Sequence, residues 1–128
     1  MTGIFLLDTN AVIARTKDDQ ILERLLEDAE VFLSVVVLGE LFFGSEKSKR
    51  MSENWSNAEK LAASVEILVC DVSTARYYGR IKEQLRLKGR PIPDNDIWIA
   101  ASAMEYGLTV LTRDEHFRYV DGLAVQGW

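Results

Sequence analysis

Residues 3–12 read GIFLLDTNAV. Gly3 to Leu7 are mostly apolar, and Asp8-Thr9-Asn10 then breaks the run. A short apolar run bounded by polar residues suits a strand buried on both faces. Ala11, Val12 and Ile13 begin a helical pattern at once, so Asp8 falls at a strand's carboxyl end where a helix starts. Open α/β sheets bind their ligands at such ends. Asp, Thr and Asn are also ordinary helix caps, so this stretch alone leaves both roles open.

Further along, Asp18-Asp19 can cap a second helix with Ile21, Leu22, Leu25 and Leu26 on one face. Val31-Phe32-Leu33 reads as a second strand, and Ser34 can cap the helix Val35–Phe43. That helix is apolar nearly all round, which predicts a buried helix. Its single charge is Glu40, a costly carboxylate unless salt-bridged, hydrogen-bonded or metal-bound. Residues 46–64 form a polar helical segment, and 65–70 a third strand that holds Cys70. Ser73 is the expected cap of a helix over 74–88, with Gly89 as its C′ residue. Both prolines, Pro91 and Pro93, precede a helix through Tyr106, with Asp94 as its N-cap, Asp96 in its first turn and a small-residue packing face. Leu108–Leu111 is a fourth strand followed by Thr112-Arg113-Asp114, and Leu123–Val125 is a short fifth. Strands alternating with helices predict a three-layer α/β/α domain with a central parallel sheet of four to five strands. At 128 residues, one domain over 1–128 is expected.

The net charge of −5 argues against indiscriminate nucleic-acid binding. The distribution argues otherwise, because Arg76, Arg80, Lys82, Arg86, Lys88 and Arg90 cluster with only Glu83 among them. Lys47, Lys49 and Arg50 form a smaller basic run. Either is a solvated helix face or a surface for phosphates. The lone Cys70 rules out an internal disulfide and reads as a buried small hydrophobe, compatible with a reducing compartment. No signal peptide of normal form and no membrane span is expected.

Four acids share one property. Asp8 and Asp114 follow strands, while Glu40 and Asp96 lie on helices just after strands or loops. In a parallel sheet such positions can meet above the carboxyl edge. Four charges about 6 Å apart would repel by about 17 kcal/mol in all at an effective dielectric of 20, which is at or above the stability of a domain. Protonation or a bound cation must relieve such a cluster. Oxygen ligands favour the hard ions Mg²⁺ or Mn²⁺, and those ions suit phosphoryl chemistry with activated water. His116, the only histidine, has no Cys or His partner at metal spacing and reads as a surface or hydrogen-bonding residue. No Walker loop or nucleophile triad is present.

Four segments in order, LLDTNAVI, LSVVVLGEL, PIPDNDIWIAASA and LTVLTRDEHF, resemble the PIN-domain ribonucleases, specifically VapC-type toxins. The resemblance implies a cytoplasmic, Mg²⁺- or Mn²⁺-dependent endoribonuclease that hydrolyses structured RNA through metal-activated water. It places Asp8, Glu40, Asp96 and Asp114 as catalytic metal ligands. Thr9, Asn10, Ser34 and Thr112 become the polar residues that orient them, with Asp94 as a cap and an outer contact. It also implies a homodimer restrained by a VapB-type antitoxin, whose basic side chain can stand in for the metal's charge. The basic residues above would hold RNA. Three alternatives remain: a catalytically silent binding module of the same fold, a phosphatase or phosphotransferase using Asp8, and a nuclease directed at DNA.

Overall fold

Strand β1 (Ile4–Leu7) lies at the centre of a five-stranded sheet whose order is β3-β2-β1-β4-β5. The computed structural model describes residues 3–128. The other strands are β2 (Glu30–Ser34), β3 (Glu66–Leu68), β4 (Thr109–Leu111) and β5 (Val125–Gln126), and every pairing is parallel. Six α-helices complete a three-layer α/β/α architecture: α1 (Thr9–Thr16), α2 (Gln20–Leu26), α3 (Val35–Glu46), α4 (Met51–Ser64), α5 (Val72–Lys88) and α6 (Asp94–Tyr106). A 3₁₀ turn, Glu115–Tyr119, follows β4.

The order of strands decides where a site can form. From β1 the chain moves outward on one side through β2 and β3, then returns to place β4 on the other side of β1. The reversal opens a crevice between β1 and β4, the position at which parallel sheets take ligands. Leu7 pairs with Leu111, so Asp8 and Thr112 leave the sheet side by side.

The core forms as the apolar pattern expects. Leu6, Leu7, Leu33, Val110 and Leu111 are buried in the sheet. Ile99, Ala100, Ala101 and Ala103 are fully buried on α6, where small side chains allow close packing on the strands. Asp19 caps α2 through Ile21 N and Leu22 N, both at 3.1 Å. Ser34 Oγ accepts from Val36 N at 3.1 Å and so caps α3. Gly89 and Gly107 end α5 and α6 with φ of 65° and 67°, the left-handed turn that glycine adopts without strain.

Several local expectations are corrected. Helix α3 is not buried all round: Val37 and Leu38 enter the core and Val36, Leu41 and Phe42 pack at its margin, while Val35 is 41% and Phe43 63% exposed. The polar helix begins at Met51, after a turn over residues 47–50, since α3 itself continues to Glu46. Asp71, not Ser73, caps α5, in a reciprocal pair with Thr74. β3 ends at Leu68, and Cys70 is half-buried beyond it. Asp94 is the first residue of α6 and not its cap, because its carboxylate turns aside to Tyr78 and Lys82. β5 starts two residues later than expected. No helix among the described residues is long and apolar enough to cross a membrane.

Candidate active site

At the carboxyl edge between β1 and β4, Thr112 ties the two strands together. Its hydroxyl donates to Asp8 Oδ2 at 2.9 Å and accepts from the backbone N–H of Asp114 at 2.9 Å. Asn10 Nδ2 donates to Asp8 Oδ2 at 3.1 Å and to Thr112 Oγ1 at 3.3 Å, and Asn10 Oδ1 accepts from Arg113 N. Asp8 Oδ1 accepts from Thr9 N at 2.8 Å as it caps α1. Asp8 therefore does both things its position suggested. It caps a helix, and it stands at the crevice with its carboxylate fixed by three neighbours.

Asp96 enters from the first turn of α6 and is only 9% exposed. Burial, reinforced by the charges of Asp8 and Asp114, pushes its carboxyl up to about 6. Burial also raises Asp8, against the hydrogen bonds from Thr9 and Thr112. Asp114 comes from the end of β4 and caps the 3₁₀ turn through His116 N. Glu40 rises from α3, half-buried. Burial raises its carboxyl too, and the charge of Asp8 adds to the effect. The Thr9 hydroxyl beside it acts in the opposite direction, yet neither Glu40 Oε1 nor Thr9 Oγ1 completes a hydrogen bond. Both oxygens are thus buried without partners, in a place where the one carboxylate acting on Glu40 is Asp8.

Among the described residues, no Lys or Arg pairs with Asp8, Glu40, Asp96 or Asp114. The one basic group at the site is His116, whose Nδ1 stands 3.1 Å from Asp114 Oδ1 and 3.4 Å from Asp96 Oδ2. Read from the sequence, His116 has no Cys or His partner at metal spacing and takes a surface or hydrogen-bonding role; the structure sets it against two carboxylates. Its contact with Asp114 is local, two residues apart, and could have been suspected. Its contact with Asp96 comes from another element.

Other candidates lie elsewhere. Ser34 spends its hydroxyl on the cap of α3 and bonds none of the acids. Asp94 sits 3.1 Å from Lys82 Nζ, which holds its carboxyl below the usual range with help from Tyr78. The basic cluster is less free than its sequence suggests. Lys82 pairs with Asp94, Arg86 with Glu83 and Lys88 with Asp121, while Arg90 lies over the Tyr119 ring at 5.1 Å. Asp94 and Asp121 oppose the cluster from other elements, so Glu83 is not the only acid there. Arg76 and Arg80 are exposed, with no acidic partner among the described residues. Lys47 lies over Phe43 at 4.6 Å, and Lys49 and Arg50 are exposed in the same turn. Thr9 and Glu40 also line a groove of 1030 Å³ between α1, α3 and α4, with Val12, Ile13, Leu41 and Leu61.

A central parallel sheet whose switch-point acids are paired with no Lys or Arg among the described residues defines a class, and comparison with known proteins identifies it. Residues 5–123 match the PIN domain model. The chain is 33% identical over 128 residues to the tRNA(fMet)-specific endonuclease VapC of Shigella flexneri, covering 97% of each. Its fold matches the crystal structure of VapBC2 from Rickettsia felis bound to a promoter DNA fragment, with a TM-score of 0.87, 29% identity and 98% of each chain covered. It also matches DNA-bound VapBC from Salmonella typhimurium, with a TM-score of 0.86, 32% identity and coverage of 100% of this chain and 99% of that one. The chain belongs to the PIN-domain family and, within it, to the VapC ribonucleases.

Proposed function

We propose that this single domain, residues 1–128, is a divalent-metal-dependent endoribonuclease toxin of a toxin–antitoxin pair. Its substrate is structured RNA, a tRNA or similar, in the cytoplasm. The observation that carries the reading is electrostatic: burial raises Asp8, Glu40 and Asp96, and no Lys or Arg of the described chain neutralises them. Folding has gathered carboxylates whose charge a proton or a cation must offset, and a divalent ion is the offset that also serves phosphoryl chemistry.

The residues fit a divalent ion. Asp96, Asp114 and His116 offer ligand atoms within 4.8 Å of one another, and Glu40 Oε1 lacks a donor. Asp8, Glu40, Asp96 and Asp114 would hold Mg²⁺ or Mn²⁺. When bound, such an ion supplies Lewis acidity that eases ionisation of water and offsets charge on the phosphodiester. The chain's own groups do the rest. Thr9 N, Asn10 and Thr112 fix Asp8 so that it does not rotate. Glu40, half-buried beside Thr9 with its carboxyl raised by burial, would help hold the ion. Arg76 and Arg80, with the turn bearing Lys47, Lys49 and Arg50, hold the RNA backbone.

The likeness to VapBC complexes supports a VapB-type antitoxin as the restraining partner of a dimeric toxin. Replacing Asp8 or Asp96 with Asn and assaying RNA and DNA side by side in Mg²⁺ tests the reading. Loss of RNA cleavage is expected, and wild-type activity in either variant removes that residue from the mechanism. Equal cleavage of DNA overturns the choice of substrate.

A further inference from the structure

We propose that His116 is a direct ligand of the ion, through Nδ1, and that the resulting mixed nitrogen–oxygen site takes Mn²⁺ in preference to Mg²⁺. The inference rests on the metal-dependent reading above. It departs from the all-oxygen site that the four acids alone describe.

Three observations support it. The imidazole faces the acids with Nδ1, 3.1 Å from Asp114 Oδ1 and 3.4 Å from Asp96 Oδ2. Adjacent ligands of an ion bound at about 2.1 Å stand roughly 3.0 Å apart in an octahedron and roughly 3.4 Å apart in a tetrahedron, so these separations suit two edges of one coordination shell. The three donors come from two supports, α6 for Asp96 and the end of β4 with its 3₁₀ turn for Asp114 and His116. Finally, the His116 backbone N–H is bonded to Asp114 Oδ1 at 2.9 Å, which fixes the residue beside the carboxylate it would share an ion with. His116 is about half exposed, so solvent and ions reach it.

The consequence is selectivity. Imidazole is a poor ligand for Mg²⁺, which keeps oxygen ligands and water, and a good one for first-row transition ions. One nitrogen among carboxylates therefore shifts preference toward Mn²⁺, the hardest of that series, without excluding Mg²⁺.

The protein carries one histidine, so any directly bound imidazole nitrogen is His116. Untagged, metal-stripped protein is titrated with Mn²⁺ and followed by loss of the free-ion electron paramagnetic resonance signal. Mg²⁺ affinity is read by competition. Pulsed resonance then reports ¹⁴N coupling in the bound state. Coupling to one imidazole nitrogen is expected in the wild type and absent in His116→Gln. That variant should bind Mn²⁺ at least about tenfold more weakly, with Mg²⁺ affinity changed less than about twofold. Stoichiometric Mn²⁺ binding that Asp96→Asn removes, but without ¹⁴N coupling in the wild type, would overturn the His116 proposal and leave the metal-dependent reading intact. Binding of neither ion would overturn both. The wild-type spectrum needs no variant, so a folding defect in His116→Gln cannot mask the result.

Discussion

Two acidic corners of the molecule behave in opposite ways. At the start of α5, Asp71 accepts from the Thr74 backbone and hydroxyl, and those bonds hold its carboxyl below the usual range. Thr74 Oγ1 also stands 2.6 Å from Glu105 Oε1, so its one hydrogen serves either carboxylate in turn while the Thr74 backbone N–H stays on Asp71. At the β1–β4 crevice, Asp8, Glu40 and Asp96 are all raised, with burial the main cause. The first corner satisfies its own charge and is architecture. The second gathers charge faster than it gathers donors, and selection for stability alone would not retain it. Asp94 and Asp96 repeat the contrast within one helical turn: Lys82 lowers the first, and burial among acids raises the second.

The sharpest way to break this comparison is to neutralise one member of each kind. Asp96→Asn should reduce RNA cleavage at least about a hundredfold, whereas Asp94→Asn should stay within a few-fold of wild type, because its carboxylate is already occupied by Tyr78 and Lys82. Steady-state cleavage of a tRNA substrate, with melting curves as a control for folding, checks both. Comparable losses would show that raised and lowered carboxylates are not functionally distinct here.

A second effect has the opposite sign. Asp96 keeps its proton to about pH 6 in the folded, metal-free protein, against 3.8 in an unfolded chain. Between those values the folded state binds more protons than the unfolded one. Stability therefore falls as pH rises from about 4 to about 6 and is level above, a loss of at most about 3 kcal/mol. Asp96→Asn should flatten this dependence and raise the metal-free melting temperature at pH 7.5. Mn²⁺ should raise the wild-type value and leave the variant unchanged. Denaturation at several pH values with a chelator present reads it directly. A wild-type stability that climbs over the same window would contradict the raised carboxyl.

At the first corner the expectation is reversed again. Asp71→Ala removes the cap and its reciprocal bond with Thr74, so the melting temperature should drop by a few degrees while cleavage per folded molecule is retained. A loss of activity without a loss of stability would mean that this corner is part of the site.

What could be read from the sequence follows the same division between local and distant contacts. Asp8 and Asp114 were legible because an apolar run ended by an acid is a local signal, and the parallel order of strands then sets both ends side by side. The fold was legible for the same reason. The surroundings were not. The contact between His116 and Asp96 joins residues from two elements, and so do those of Lys82 with Asp94 and Lys88 with Asp121. The exposure of Phe43 depends on which side of α3 receives neighbours, and an unbroken apolar sequence carries no record of that. Asp71 and Ser73 could each cap a helix, and the choice between them depends on where β3 stops, at Leu68.

The smallest expected effect carries the comparison over to the cations. A basic side chain already paired with a carboxylate has given up part of the charge that would displace counterions from RNA, whereas an unpaired one has not. Arg86 is held by Glu83, with Nη2 at 2.8 Å from Oε2, while Arg80 is exposed with no acidic partner among the described residues. In an Asp96→Asn background, which should leave RNA intact, Arg80→Ala should lower the slope of log affinity against log salt by about 0.7 to 1. Arg86→Ala should lower it by clearly less, because the same substitution frees Glu83 and costs the pair its local bond. The two slopes are measured on one RNA over one salt series, so any common loss of folding or of site geometry cancels. Equal slopes would mean that RNA competes successfully for Arg86, and the pairing seen along α5 would then describe a resting arrangement and not the binding surface.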